Sequence, residues 1–364
     1  MTTIAAYTGE VVYLYAFDVA YELERRDLPR LLGEPLVPMA LDGDKRNPRR
    51  LALERPLTAS LPAIHRTGKT GPVRIARAVT VLHVGAISIS LRVPFAVESL
   101  GEIVGFHDLT FNEGSMDDLA RALAAEVFAE LRPYLVRPVA ALPAEEAYTV
   151  FCLHAAVPDA VEWLGKNRRA VAALLTQEGD DNLLSQAEVD ESTGRALSYY
   201  RHDLAVLDWD AALIIDQPKA IDEVLRIIEL ANLELAELEA YDAILDAAVE
   251  RAYHDIAGRF NRRRRGVLKN LGELRIDLAR LGDELGNITK FFGDWHLARI
   301  YQTLSDRFHL PDWHRSADTK LRTLDDMYQL LKQDHNNRWM LILEITVVLL
   351  FVIDLALILV LKHL

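Results

Sequence analysis

The sequence has 364 residues, enough for one sizeable globular domain with accessory helices, and its proline, glycine and aromatic contents are ordinary, which excludes a fibrous or disordered chain. Its formal net charge of −13 argues against a general nucleic-acid binder, which would present a broadly basic surface. Cys152 is the single cysteine, so no internal disulfide can form, which suits a reducing compartment. The N-terminus lacks the features of a signal or transit peptide.

Residues 1–216 are predicted to form a mixed α/β domain, the first part of an α+β chain. Ser115 with Asp118 suits the N-cap of a helix over SMDDLARALAAEVFAELRPYL, and DAVEWLGKNRRAVAALLTQ predicts a second helix. The polar segment 41–72, punctuated by proline and glycine, is predicted to be a long loop or flexible insert. Segments rich in β-branched and aromatic residues predict strands: EVVYLYAF, VRIARAVTVLHVGAISISLRV, EEAYTVFCLHAA and HDLAVLDWDAALIID.

The segment RTGKTGP superficially resembles a phosphate-binding loop. That loop requires a glycine where Ala63 stands and a helix directly afterwards, whereas Pro72 here leads into a predicted strand. We therefore do not predict nucleotide binding through this segment.

Two arrangements that contain histidine are candidate chemical sites. Cys152 and His154 alternate along one predicted strand and could form a thiol–imidazole pair, although such residues are more often part of the sheet itself. His309 and His314 flank a helix connection, where a metal site is less expected than ordinary polar side chains. The sequence thus predicts no catalytic, cofactor-binding or metal-binding residues, and no enzyme.

Residues 217–336 are predicted to form a helical coiled-coil or hairpin stalk. This region has two apolar seams, a main one given below and a second one. The second seam runs from Ile221 to Ile256 and is interrupted by Asp242, and Leu321 and Leu324 continue the pattern. Such stripes pack either within one chain or against a second copy, and we expect self-association. The main heptad seam alternates spacings of three and four through Leu271, Leu274, Leu278, Leu281, Leu285, Ile288 and Phe292.

A cluster of positive charge without an acid precedes that seam. It could be a solvated face paired with the acidic helix upstream, or it could contact anionic lipid or RNA, including ribosomal RNA on a ribosome. The cluster comprises Arg259, Arg262, Arg263, Arg264, Arg265 and Lys269.

Residues 337–364 are predicted to be a C-terminal transmembrane anchor. From Trp339 to Leu361 the segment is apolar except for Thr346, Glu344 and Asp354. At about 1.5 Å per residue it reaches roughly 34 Å, enough to cross a hydrocarbon core of about 30 Å. Because intramembrane acids are functional candidates, Glu344 and Asp354 would mark an oligomeric interface or line a pore.

The C-terminal half resembles the required-for-meiotic-nuclear-division family, which contains a domain of unknown function. The resemblance covers roughly residues 200–361 and includes the leucine-rich helix 271–288, the corner at Phe291 and Phe292 with Trp295, and Arg338-Trp339 before an acid at Glu344. It implies a membrane-anchored protein that forms large assemblies, since eukaryotic relatives support translation at the mitochondrial inner membrane. Without a transit peptide, a prokaryotic plasma membrane is the expected location.

Together these features predict a non-enzymatic scaffold or tether that is anchored in the lipid bilayer by its C-terminal tail. It would self-associate through its helical stalk and present a cytosolic α/β domain to a partner. By resemblance, this role would be linked to translation at the membrane. The alternatives are an oligomeric membrane effector or small pore that uses the intramembrane acids, and a hydrolase domain whose motif is not recognised.

Overall fold

The computed structural model of the protein describes residues 7–24, 28–39, 56–68, 71–143, 145–154, 157–257, 276 and 295–362. These residues belong to two compact units. The first unit takes in those between Met1 and Ala240 and between Ala279 and His314, and the second those between Tyr241 and Leu278 and between Arg315 and Leu364.

The first unit is built on one large sheet, so the mixed α/β prediction for the N-terminal part is confirmed. Among the described residues the sheet has 11 strands in the order β10-β9-β6-β7-β8-β1-β12-β15-β14-β13, with β5 beside β6. The pairs are antiparallel except β12 with β15, which run parallel. Its strands are β1 (Tyr7–Asp18), β5 (Val37–Pro38), β6 (Leu57–Gly68), β7 (Gly71–Val81), β8 (Ala86–Val97), β9 (Thr110–Phe111), β10 (Gly114–Ser115), β12 (Glu146–Leu153), β13 (Ala196–Leu197), β14 (Leu204–Leu207) and β15 (Ala211–Ile215).

Two small strand pairs and seven α-helices complete the described residues. The pairs are β2 (Ala20–Leu23) with β11 (Leu135–Pro138), and β3 (Arg30–Leu31) with β4 (Glu34–Pro35). The helices are α1 (Leu100–Val104), α2 (Met116–Leu131), α3 (Ala160–Leu175), α4 (Gln186–Ser192), α5 (Pro218–Ala257), α6 (Trp295–Arg307) and α7 (Leu310–Lys362).

The alternation along β1 assigns the two faces of the sheet. Tyr13, Tyr15 and Phe17 belong to the main apolar core, which also contains buried residues of α1, α2 and α3. The opposite face lies toward the first half of α5, where the Asn232 side-chain amide donates to the Glu146 carbonyl oxygen at 3.0 Å. The central sheet therefore has helices on both faces.

The predicted start of α2 is confirmed. The Ser115 hydroxyl accepts from the Asp118 backbone N–H, and the Asp118 carboxylate accepts from the Ser115 N–H at 2.9 Å. This reciprocal capping box satisfies two helix N-terminal donors that would otherwise lack partners.

The prediction of a loop over 41–72 is wrong for residues 57–68, which form β6. β6 pairs with β7 from Leu57 to Gly68, with a register shift between Leu61 and Ile64. Pro62 lies at this irregularity, where the missing N–H removes no ladder hydrogen bond. The proline that favoured a loop is therefore accommodated by a bulge.

In the second unit, α5 and α7 of the same chain pack together. Leu245 and Ala252 of the second predicted seam are buried with Ala317, Leu321 and Leu324. This part of the seam is thus covered within the chain, and a coiled-coil stalk is not shown by the described residues.

Asp242, which interrupts that seam, has polar partners on α7. Its carboxylate accepts from Lys320 Nζ at 2.7 Å and from the Ser316 hydroxyl at 3.3 Å. Asp246 lies 2.5 Å from the same lysine. The acid therefore fits the helix pair because a cation faces it.

The helix α7 runs unbroken from Leu310 to Lys362. In the part of the chain that the structure describes, no helix combines the length and the apolar character needed to cross a membrane. The side chains of 355–361, which complete the predicted span, lie outside the described part.

Candidate functional site

A cavity of about 500 Å³ lies in the first unit between strands β5 to β8 and the first turns of α5. Asp222, Arg226 and Glu229 line it from α5, where spacings of four and three place them on one helix face. Ligand pockets commonly have volumes of about 300–1,000 Å³, so the cavity is large enough for a small metabolite.

Arg92 on β8 joins three elements at the edge of the cavity. One of its terminal nitrogens lies 2.7 Å from the Asp222 carboxylate and 3.3 Å from the Glu10 carboxylate on β1. Burial alone would lower the pKa of Arg92, but the hydrogen bond that Arg92 donates to Asp222 and the charges of Glu10 and Asp222 raise it. Arg92 is therefore a fixed cation held in place by two carboxylates.

Glu229 is the buried acid of the cavity, with 8% of its surface exposed. The hydroxyls of Ser88 and Thr80 hydrogen-bond to its carboxyl group, whereas its Oε1 has no hydrogen-bond partner among the described residues. Burial raises the pKa of Glu229 more strongly than these hydroxyls and the nearby arginines lower it. An unsatisfied buried oxygen of this kind costs about 1–3 kcal/mol.

Hydroxyl groups form a row on the face of the sheet that lines the cavity. The register pairs Thr58 with Thr80 across β6 and β7, and Thr80 with Ser88 across β7 and β8. The Thr58 and Thr80 hydroxyl oxygens lie 3.3 Å apart. Ser60 and Ser90 also line the cavity, so its floor can donate and accept hydrogen bonds.

Comparisons with known proteins concern the same part of the chain. Residues 8–222 match the family described as "Uncharacterized protein MJ0711, N-terminal domain". The chain belongs to this family. The uncharacterized protein MJ0711 of Methanocaldococcus jannaschii is 26% identical over 215 residues, a segment that covers 58% of this chain and 65% of that relative. No solved structure matches the chain.

The family match ends within the first turn and a half of α5. It includes Arg92 and Asp222 but stops before Arg226 and Glu229. The match does not bear on the resemblance of residues 200–361 to the required-for-meiotic-nuclear-division family, which stays a prediction.

The thiol–imidazole pair weighed from the sequence is not assembled. Cys152 is fully buried beside Glu10 and Arg92, and burial raises the pKa of its thiol well above the usual range. His154 lies beyond the end of β12 and is exposed. Because the thiolate is disfavoured at such a position, Cys152 is not an activated nucleophile.

The described residues of the segment that resembles a phosphate loop belong to two paired strands. Gly68 ends β6 and pairs with Gly71, the first residue of β7. A strand rather than a helix follows, so the N-terminal helix dipole that a phosphate loop uses is missing at this position.

The two histidines of the helix connection have separate surroundings. His314 Nε2 lies 3.2 Å from the Glu234 carboxylate, which also accepts from the Tyr301 hydroxyl. His309 Nδ1 lies 3.5 Å from Asp312 and its side chain is largely exposed. Within the described ranges, no group of three or more His, Cys, Asp or Glu residues could hold a metal ion.

The remaining predicted residues divide between described and undescribed parts of the chain. Glu344 is exposed on α7, as is Asp354. The basic cluster 259–269 and the main heptad seam 271–292 lie outside the described residues.

Proposed function

We propose that this protein is a non-enzymatic membrane tether whose folded sheet unit is presented to a partner while the apolar end of α7 inserts into a lipid bilayer. The observation that carries the proposal is the continuous apolar surface of α7. Thirteen large apolar side chains between Trp339 and Ile353 are 47–72% exposed. Soluble proteins rarely expose contiguous apolar patches of this kind unless the patch binds something.

The distribution of these side chains favours a bilayer over a groove on another protein. A helix that docks in a protein groove needs one apolar stripe, whereas consecutive residues from Val347 to Ile353 are exposed and apolar on every side of α7. A surface that is apolar all round is matched by hydrocarbon, which surrounds the helix completely.

Glu344 and Asp354 are the acids within this surface, ten residues apart on one helix. At about 100° per residue, ten residues rotate a side chain to about 80° from its starting direction, so both acids can face one side. We propose that this side is an interface between copies of the chain, since a carboxyl group in hydrocarbon is stabilised by a hydrogen-bonding partner.

Flotation of the full chain with phospholipid vesicles tests the attachment. The variant carries Leu343→Gln, Val347→Gln and Leu350→Gln, which keep helix-forming residues while they remove apolar surface. We expect the wild-type protein to float with vesicles and to resist alkaline extraction, and the variant to remain in the aqueous fraction.

A matched control carries three glutamines on the same helix at exposed charged positions, Asp318→Gln, Arg322→Gln and Asp326→Gln. This control should float like the wild-type protein. Equal flotation of the apolar-end variant and the control, or failure of the wild-type protein to float, would contradict the membrane proposal. A monomer by light scattering in detergent would contradict self-association.

A further inference from the structure

We propose that the crevice at the carboxyl ends of β12 and β15 binds a small quaternary ammonium compound, such as choline. The proposal concerns the first unit alone and is independent of membrane attachment by α7. It rests on the position of the crevice in the sheet, on two neighbouring carboxylates and on two exposed tyrosine rings.

The crevice lies where the chain leaves the sheet toward both of its faces. β12 and β15 are neighbouring parallel strands, and Leu153 pairs with Ile215 at their ends. The helix that follows β12 is α3, on the face of the main core, whereas the helix that follows β15 is α5, on the opposite face. In open α/β sheets, such a point leaves a crevice outside the strand ends, and small ligands commonly bind there.

Two carboxylates lie side by side at this edge of the sheet. β14 begins at Leu204, which pairs with Ile215, so Asp203 before β14 and Asp216 after β15 occupy neighbouring positions. Burial raises the pKa of Asp216, and the negative charge of Asp203 also raises it. A cation placed beside the pair would relieve this repulsion and would be attracted by both charges.

The hydrogen bonds of the two carboxylates select the kind of cation. The Asp203 oxygens accept from the backbone N–H groups of Tyr199 and Tyr200, each at 2.7 Å. One Asp216 oxygen accepts from the Gln217 N–H, also at 2.7 Å. These donors have no net charge, and the positive end of α5 offsets only about half of one elementary charge. The negative charge therefore remains while few acceptor positions stay open, which suits an alkylated ammonium group that donates no hydrogen bond.

Two tyrosine rings are exposed above these carboxylates. Tyr199 and Tyr200 are 57% and 61% exposed, and their ring centroids lie 4.7 Å apart with the ring planes at 88°. His296 of α6 packs against Tyr199, and His202 stacks on Tyr200, with ring centroids 5.6 Å and 5.5 Å apart. The rings are thus held in defined directions although they face solvent. Tyrosine ring faces attract cations, and quaternary ammonium ligands are recognised in this way.

Arg201, the cation of the same loop, is paired with another acid. Its guanidinium lies 3.2 Å from Asp159, the residue before α3, and its side chain is 86% exposed. Its charge is therefore balanced away from Asp203 and Asp216, which stay available to attract a ligand. The formal net charge of −13 also favours the approach of a cation.

Isothermal titration of the full chain in a non-ionic detergent with choline tests the proposal. One probe is 3,3-dimethylbutan-1-ol, which has the shape of choline without its charge, and the other is methylammonium, which keeps the charge together with hydrogen-bond donors. We expect saturable choline binding that is about tenfold tighter than that of the uncharged probe and about threefold tighter than that of methylammonium. Choline binding should weaken as salt is raised.

The ring of Tyr200 is tested with a graded pair of substitutions. Tyr200→Phe keeps the ring and should bind choline within about twofold of the wild type, whereas Tyr200→Leu should lose about threefold or more. Both variants should bind the uncharged probe as the wild type does. Tyr253→Leu changes an exposed tyrosine of the second unit and is the matched control, expected to bind choline like the wild type. Both positions are exposed, so the substitutions leave the fold intact.

The carboxylate is tested by Asp216→Asn, which keeps an oxygen for the Gln217 N–H and removes the charge. This variant should weaken choline binding by about threefold or more and leave the uncharged probe unchanged. Asp318→Asn, at an exposed position of α7, is its control and should bind both compounds like the wild type.

Three results would overturn the proposal. The first is no saturable binding of choline by the folded wild-type chain. The second is binding of either probe as tightly as choline, which would remove the role of the charge or of the alkyl groups. The third is equal choline binding by Tyr200→Leu and Tyr253→Leu, which would place the ligand elsewhere.

Discussion

Replacement of Glu146 by glutamine should change how the stability of the first unit depends on pH. Glu146 is the first residue of β12, and its carboxyl group is mostly buried beside Glu239. Burial, then the negative charge of Glu239 and its hydrogen bond, and then the charge of Asp210 raise the pKa of Glu146 from 4.5 to about 7. The folded protein thus holds a proton that the unfolded chain releases at lower pH.

The direction in which stability changes with pH follows from the difference between the folded and unfolded pKa of Glu146. Below the unfolded pKa of 4.5 the carboxyl group is neutral in both states and imposes no penalty. Between about 4.5 and about 7 the unfolded chain ionises while the folded protein keeps its proton, so stability falls as pH rises over this window and levels off above about pH 7. The wild-type protein should therefore be less stable at pH 8 than at pH 5 by the contribution of this group.

The magnitude can be bounded from the pKa values. The difference between 4.5 and about 7, at about 1.4 kcal/mol per pKa unit, corresponds to an upper limit of about 3.5 kcal/mol. Because Glu146 is only partly buried, solvent screening reduces this limit, and we expect about 1–2 kcal/mol.

Urea unfolding of the full chain in detergent, followed by circular dichroism between about pH 5 and about pH 8, measures the effect. Glu146→Gln should be more stable than the wild type at the upper end by about 1–2 kcal/mol and close to it at the lower end. Asp18, whose pKa burial raises to about 6, titrates in both proteins and cancels in the difference. Glu126→Gln, at an exposed position of α2, is the control. A constant offset across the whole pH range would refute the reasoning.

Three further substitutions test the packing that supports the first unit. Tyr148→Phe removes a buried hydroxyl that donates to two backbone carbonyls at 2.9 Å and should cost about 1–3 kcal/mol by urea titration; no loss would show that the carbonyls find other donors. Arg307 lies 2.5 Å from the nearly buried Asp208, so Arg307→Met leaves this carboxylate without its cation. The variant should lose about 3 kcal/mol of unfolding free energy, and a second change, Asp208→Asn, should restore part of it. Gly85→Ala should lower the melting temperature sharply, because the φ of Gly85 is +90° and a Cβ would lie 1.8 Å from a backbone oxygen. Gly165→Ala in α3, where a Cβ has no neighbour within 4 Å, should raise the melting temperature. Similar melting temperatures for the two variants would contradict this account.

Much of the fold could be predicted because its signals are local. β-branched and aromatic residues in EVVYLYAF predict the central strand β1, and Ser115 with Asp118 predicts the start of α2. These patterns depend on residues a few positions apart, so the sequence displays them directly.

The strand β6 was missed for a local reason. Its residues are polar and include Pro62, which together favour a loop when read alone. The strand is stable because β7 supplies a long antiparallel partner and the bulge between Leu61 and Ile64 places the proline outside the ladder.

The cavity was missed because its parts come from distant segments. Thr80, Arg92 and Glu229 are separated by up to about 150 positions, and no spacing motif connects them. A weak signal existed in AISISLRV, where serine alternates with isoleucine and Arg92 follows in phase on the polar side. That alternation indicates a strand face that is not entirely apolar, but it does not indicate what covers the face.

By itself the sequence determined apolar strands such as β1, the capped start of α2 and the long apolar end of α7, because each depends on local periodicity and on side-chain hydrophobicity. Only the tertiary structure decided which face of the sheet receives α5 and that Leu245 packs against α7 of the same chain. The ion pairs of Arg92 with Glu10 and with Asp222 were likewise decided only by the tertiary structure. These outcomes depend on strand register and on helix packing between residues far apart in the chain. An amphipathic pattern shows that one face of an element is buried, but it does not show which element covers that face.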